Sequence, residues 1–163
     1  MRLAPQEIRT FFTTAVTANR RRLFQTERNA ELLLRILHDN RQKGRFQLHA
    51  YVIMPDHIHL LLTPAENVSL EKAMQFIKGG FSFHLKSAFD VWERSFKEHR
   101  IKDEQDYENH KTYIEQNPVR ANLGPTPQHF PHSSASSQQL DPMPAHFRNA
   151  LPAFLTWVPI SRS

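Results

Sequence analysis

The chain has 163 residues, about the size of one domain, and its 21 Lys and Arg against 16 Asp and Glu leave a formal net charge of +5. That balance points to an anionic partner, while the absence of cysteine excludes a disulfide scaffold, a thiolate zinc site and a cysteine nucleophile and fits a cytoplasmic location. No apolar run approaches the ~20 residues that cross a bilayer, and the N-terminal stretch lacks the apolar core of a signal peptide, so no membrane partner is expected.

In chain order, residues 11–17 are aromatic and β-branched and predict a first strand, followed by the basic turn Asn19-Arg20-Arg21-Arg22. Thr26 is the expected N-cap of a helix over 27–43, where Ala30, Leu33, Leu34 and Leu37 recur at helical spacing and Gly44 follows as a C′ residue. Phe46, Leu48, Ala50, Val52 and Met54 alternate with Gln47, His49, Tyr51 and Ile53, which predicts a second strand with these two sets on opposite faces. Pro55-Asp56 breaks it, and residues 57–62 form its antiparallel hairpin partner, ending at Thr63-Pro64.

Ser69 caps a second helix built on Leu70, Ala73, Met74, Ile77 and Phe81; Gly79 and Gly80 weaken it by roughly 1 kcal/mol each and suggest a close backbone approach. Residues 92–101 predict a fourth strand. From Asp103 or Asp106 a last helix runs to Asn117, where Pro118 biases the preceding residue away from helical dihedrals. After Gly124, proline and serine become dense, which places a domain edge there: 1–124 as the body, 125–163 as a tail. Phe147, Leu151, Phe154, Leu155 and Trp157 make the tail apolar enough to dock a short helix. The order of elements predicts an α+β, ferredoxin-like split βαβ antiparallel sheet, with the first two helices on one face and the tyrosine-bearing helix on the other, the site face.

Side chains two apart on a strand project from the same face, so His57 and His59 stand side by side while Ile58, Leu60 and Leu62 fill the opposite face. Two neutral imidazoles can hold a divalent ion when a third ligand arrives from elsewhere. Other histidine chemistries fail on residues: a histidine-triad hydrolase needs histidine where Leu61 stands, a two-histidine phosphoesterase needs a second H-x-[ST] element, and a zincin needs its histidines on a helix. His38, His84, His110 and the tail histidines lack such a pairing and are expected at the surface.

On the last helix, Tyr107, His110 and Ile114 share one stripe, expected to be core, and Tyr113 and Asn117 present a phenol and an amide one turn apart on another. A metal held by His57, His59 and the Asn117 amide oxygen can grip a scissile phosphate and leave Tyr113 to attack phosphorus. Hard oxygen ligands and phosphate favour Mg²⁺ or Mn²⁺, with zinc or another transition metal open to the two imidazoles. A phenol of ordinary pKa near 10 is only about 0.1% ionised at pH 7, so using the phenolate costs about 4 kcal/mol without local help.

The stretches Ala50-Tyr51-Val52-Ile53-Met54-Pro55-Asp56-His57-Ile58-His59, Phe76-Ile77-Lys78-Gly79, Trp92, Glu98-His99, Asp106-Tyr107 and Tyr113-Ile114-Glu115-Gln116-Asn117-Pro118-Val119-Arg120 resemble the single-tyrosine HUH transposases, especially their REP-associated tyrosine transposase branch. The resemblance covers most of residues 8–124. It implies an endonuclease and strand transferase that nicks and rejoins single-stranded, hairpin-forming DNA through a 5′-phosphotyrosine link. Tyr113 would be the nucleophile and His57, His59 and Asn117 the metal ligands, with a monomer favoured over a homodimer. The rival is a domesticated sequence-specific DNA-binding protein or repressor without turnover.

Single-stranded DNA needs cations for its backbone and aromatic faces for its bases. Arg20, Arg21, Arg22, Lys78, Lys86, Arg94 and Arg120 are the candidate contacts. The arginine run is the strongest, because three adjacent like charges gain most from a polyanion. Trp92 is expected in the core.

Overall fold

The computed structural model describes residues 8–137 and 139–148. Its main elements are β1 (Phe11–Val16), α1 (Glu27–Gln42), β2 (Phe46–Ile53), β3 (His57–Pro64), α2 (Leu70–Leu85), β4 (Lys97–Arg100), α3 (Glu104–Arg120) and the short α4 (Ala145–Arg148). The four strands form one antiparallel sheet in the order β2-β3-β1-β4. β3 therefore lies between β1 and β2, and β1 between β3 and β4, which is the split βαβ arrangement expected from the order of elements.

The sheet separates two apolar layers. On one face Ala15, Ile58, Leu60 and Leu62 pack against Ala30, Leu33 and Leu37 of α1 and Ala73, Met74, Ile77 and Phe81 of α2. The helices pass closely there: a Cβ on Gly80 would meet Ile36 Cγ2 at 3.3 Å. On the other face Ala50, Val52, Met54 and Leu61 pack against Tyr107 and Ile114 of α3 and Met143 and Phe147 of the tail. Gly44 has φ +76, the left-handed conformation its place after α1 requires.

Four local expectations are corrected. The alternation read along β2 does not persist, because the register shifts between Leu48 and Ala50, which pair with Leu62 and Leu61. His49 is thus an extra residue, a bulge. It turns Tyr51 and Ile53 toward α1 and α2 along with Phe46 and Leu48, and turns Ala50, Val52 and Met54 toward α3. Second, β4 is only Lys97–Arg100; Trp92 instead forms an isolated bridge with Thr17. Trp92 packs on Phe24 and Phe81 and donates its indole N–H to Lys78 O (3.0 Å), the core role expected of it.

Third, Thr26 occupies the N-cap of α1 but its hydroxyl does not cap, donating back to Leu23 O instead. Ser69 does cap α2, accepting from Lys72 N–H at 3.0 Å. Fourth, α3 runs through Pro118 to Arg120. Proline lacks only the N–H that Ile114 O would have accepted, and the last turn is held beyond it by Ala121 N–H to Asn117 O (3.1 Å) and Leu123 N–H to Pro118 O (2.8 Å). Asn122, at φ +59, then ends the helix in the left-handed conformation.

The described part of residues 125–163 lies along the outer edge of β2. Ile53 N–H donates to His132 O (2.9 Å), Tyr51 N–H to Ser134 Oγ (3.0 Å) and Leu48 N–H to Asp141 Oδ2 (2.8 Å). Asp141 also receives the Arg41 guanidinium in a fork at 2.8 and 3.1 Å. Burial works to raise this carboxyl, but the Arg41 and Leu48 hydrogen bonds hold it below the usual carboxylate range. Phe147 on α4 is buried, as the docked-helix expectation requires, while Leu151, Phe154, Leu155 and Trp157 lie outside the described residues. Asp141→Ala leaves both Leu48 N–H and Arg41 without this acceptor and is expected to lower stability by about 2 kcal/mol, read as a fall in the urea midpoint.

Candidate active site

β3 carries His57 and His59 opposite Val16 and Thr14 of β1, on the face covered by α3. Each ring is fixed through Nδ1. His57 Nδ1 bonds Asp56 Oδ1 at 2.7 Å, and His59 Nδ1 shares a hydrogen bond with Thr14 Oγ1 at 2.8 Å. Both Nε2 atoms are left for a ligand on the same face, and the ring centroids are 4.8 Å apart. Asp56 is held in turn by Arg20 (3.1 Å); burial alone would raise its carboxyl, but hydrogen bonds from His57 and Arg20 keep it below the ordinary range.

His59 is buried, and that burial, with the nearby charges of His57 and Arg120, lowers its pKa to about 3. The ring is therefore neutral at pH 7, the form that binds metal. The donor set fits a divalent cation: one buried neutral imidazole, one half-buried imidazole buttressed by a carboxylate, and orienting partners on both distal nitrogens. Thr14→Val keeps the shape but removes the group that orients His59. It is expected to weaken metal binding at this pair roughly 10-fold or more without unfolding the protein, as measured by calorimetric titration and circular dichroism.

α3 brings Tyr113 onto this pair. Its ring stands edge-on to His59 at 5.5 Å and to Phe12 at 5.9 Å, and Phe12 stacks on His59 at 5.4 Å. Tyr113 is 43% exposed, so the phenol meets solvent while one edge of the ring is seated. Arg120 places its guanidinium 4.4 Å from the ring centroid and donates to Tyr113 O at 3.2 Å. Asn117 is half-buried one turn beyond Tyr113 on α3, with no side-chain hydrogen bond among the described residues.

The expected basic contacts fall into different settings. Arg20 buttresses Asp56, Arg21 donates to Asp90 O and Arg22 bonds Gln25 (3.1 Å), so the three-arginine run is splayed and each member has a partner within the chain. Lys78 is half-buried, donating to Glu93 O (3.0 Å) and Ser95 O (3.4 Å), and burial lowers its pKa against the pull of Glu93. Lys86 is exposed at the end of α2. Arg94 lines a surface depression with Arg21, Trp92 and the exposed Phe89.

Of the histidines expected at the surface, His84, His129 and His146 are exposed, while three others are half-buried. His38 and His132 are half-buried with buried, unpartnered Nδ1 atoms. His110 is half-buried and its ring stacks on that of His99 at 4.6 Å, with Asp106 bonded to both. The four-residue spacing of Asp106 and His110 was the available clue to this group; His99 joins it from another element, which spacing cannot reveal. Phe12 and Thr14 likewise support the site through pairings that only the sheet creates, whereas Asp56 adjoins His57 in the chain.

Neutral burial also sets the acid limit of the fold. His49 is buried, bonded to Thr63 Oγ1 (2.8 Å) and Asp141 O (3.1 Å), and its pKa, like that of His59, is lowered chiefly by burial. Below about pH 6.5 the unfolded chain takes up protons that these folded rings refuse, so stability falls with pH from there toward the lower folded values. Urea midpoints measured from pH 7 to pH 4 are expected to decline across the whole interval; a flat profile down to pH 5 would contradict it.

Residues 11–117 match the family model described as IS200-like transposase. The REP-associated tyrosine transposase of Escherichia coli is 31% identical over 112 residues, covering 68% of this chain and 67% of that protein. A putative REP-associated tyrosine transposase of Haemophilus influenzae is 32% identical over 103 residues, 55% of this chain and 58% of the relative. Among solved structures, a REP-associated tyrosine transposase bound to a REP hairpin superposes with a TM-score of 0.71 at 25% identity, covering 87% of each chain. A putative transposase of Deinococcus radiodurans shares the fold, with a TM-score of 0.51 at 19% identity over 76% of this chain and 98% of that one.

Proposed function

Because the chain belongs to the IS200-like transposase family, we propose that it nicks and rejoins single-stranded, hairpin-forming DNA through a 5′-phosphotyrosine intermediate. The observation that carries this reading is the seating of an exposed phenol against a buried, neutral imidazole on the H-x-H strand: Tyr113 lies 5.5 Å from His59, ring to ring. A nucleophile and a metal-ligand pair meet on one surface open to solvent.

In this reading Tyr113 Oη attacks phosphorus as its proton leaves to solvent. The bond from phosphorus to the 3′ oxygen breaks, the 3′ oxygen takes up a proton, and the 5′ phosphate remains on the tyrosine. Rejoining reverses the exchange: a 3′ hydroxyl attacks the phosphotyrosine and releases the phenol. His57 and His59 through Nε2, with the Asn117 amide oxygen, would hold Mg²⁺ or Mn²⁺, which supplies polarisation of the phosphate and charge stabilisation. Thr14 and Asp56 keep the imidazoles aimed, and Arg120 is the cation beside the nucleophile.

Arg21 and Arg94, beside exposed Phe89, offer a backbone-and-base contact surface away from the nucleophile, whereas Lys78 is tied to its own chain and is the weakest of the expected DNA contacts. Among the described residues no helix is long and apolar enough to cross a membrane. With DNA as substrate, the cytoplasm is the location we propose, and a monomer is the state the family resemblance favours. The test is a labelled single-stranded hairpin incubated with the protein and Mg²⁺ or Mn²⁺, then resolved on a denaturing gel. A nicked product and a covalent protein-DNA band are expected. Binding to matched hairpins with neither product would instead identify a DNA-binding protein without turnover.

A further inference from the structure

Outside the H-x-H pair, His99 on β4 and Asp106 and His110 on α3 bring three ligand atoms within 4.8 Å of one another. We propose that these three residues form a second divalent metal site, taking a transition metal of the Zn²⁺ or Co²⁺ class, that fastens the edge strand β4 to the tyrosine helix.

The chemistry and spacing favour an ion. Asp106 and His110 are four apart on a helix and share a face, and His99 reaches the same carboxylate from the strand. His99 Nε2 lies 2.8 Å from Asp106 Oδ2, and His110 Nδ1 lies 3.1 Å from Asp106 Oδ1 while donating to Asp106 O at 2.9 Å, a bond that coordination through this nitrogen would replace. The two side-chain contacts fall on the two oxygens of one carboxylate, so His99 and His110 flank Asp106 within the reach of a single ion. Two imidazoles and one carboxylate form a borderline donor set that suits transition metals better than Mg²⁺.

The setting favours an ion as well. Asp106 is mostly buried while the His99 side chain is 40% exposed, so the anionic ligand is fixed and an entry path remains open. Lys102 N–H donates to Asp106 Oδ2 at 2.9 Å, and Asp106 N–H is itself capped by Asp103 Oδ1 at 2.8 Å, so the carboxylate is oriented before any ion arrives. Burial works to raise the Asp106 carboxyl, but the Lys102 and His99 hydrogen bonds and the charges of the two histidines hold it below the usual range, in the ligand form.

This group is separate from the H-x-H pair yet mechanically joined to it. The Phe12 ring lies 4.8 Å from His110 and 5.4 Å from His59, and Tyr113 follows His110 by one turn of α3. Among the described residues β4 pairs only with β1, over four positions, so a metal bond from His99 would add a cross-link at the edge of the sheet.

The test uses tag-free, full-length protein and no DNA, so it stands or falls separately from the nuclease reading. The His57→Ala, His59→Ala double variant is titrated with Co²⁺ and followed by visible absorption, with zinc stoichiometry measured by elemental analysis. One equivalent is expected to remain, to vanish on adding His99→Ala or His110→Ala, and to raise Tm by roughly 5 °C at saturation. In the otherwise unaltered chain, His99→Ala, on the edge strand, is expected to remove one equivalent of zinc without changing the circular dichroism spectrum. No bound metal in the folded double variant, or an unchanged stoichiometry in His99→Ala, would overturn the proposal.

Discussion

Tyr113→Phe is expected to abolish the covalent protein-DNA adduct and lower strand nicking by at least about 10³-fold, while hairpin binding and metal binding stay intact. The separation is clean because the substitution removes one oxygen and nothing else. The ring's edge contacts with Phe12 and His59, and the Arg120 guanidinium over its face, are available to phenylalanine in the same rotamer. Tm is accordingly expected to change by less than about 2 °C. If an adduct persisted, another nucleophile would be required, and the other tyrosine of α3 is poorly suited: Tyr107 is buried, and burial and the charge of Glu108 push its hydroxyl well above the ordinary phenol range. Nicking without an adduct would point to water.

His59→Ala is expected to lose the adduct by a different route, through metal binding and stability. Metal affinity at the H-x-H pair falls beyond detection in calorimetric titration, the adduct disappears at any Mg²⁺ or Mn²⁺ concentration, and Tm drops as well. The structural cost arises because His59 is both ligand and core: Thr14 Oγ1 loses its partner and Phe12 loses a stacked ring, together about 2 kcal/mol. His57→Ala should remove the metal with a smaller loss of Tm, since its ring is half-buried and its Asp56 partner keeps Arg20. A His59→Ala protein that still formed the adduct with metal would show that the H-x-H pair is not the metal centre. Hairpin binding should survive both variants, because neither removes a cation.

The sequence carried the helices because each buries one face and shows it as a period, and it carried β1, β2 and β3 because their apolar, aromatic and β-branched runs are bounded by turn residues. Ala30, Leu33 and Leu37, or Ile58, Leu60 and Leu62, needed no tertiary information to be recognised. β2 misled for a physical reason: both its faces are covered, so nearly every residue is apolar or buried and alternation no longer marks which side faces which layer. The bulge at His49 was hidden in that uniformity. β4 is an edge strand of Lys, Glu, His and Arg, with no apolar pattern to mark its bounds. Within the site, His57, His59 and Tyr113 were readable from motif and spacing. Thr14, Phe12 and the His99, Asp106, His110 group were not, since each depends on neighbours that only the sheet or the packing of α3 brings close.

The change of composition after Gly124 looks like a natural place to cut the chain, yet the hydrogen bonds along β2 say what a fragment ending there would become. Leu48, Tyr51 and Ile53 would point their N–H groups into solvent along a strand rich in apolar side chains, and Tyr107 would lose its Phe147 cover. Such an edge is open to pairing with another molecule, so a chain shortened at Gly124 is expected to aggregate more readily than the full chain, as read by light scattering. The segment over 132–141 therefore occupies the edge of β2 at which a further strand would otherwise add.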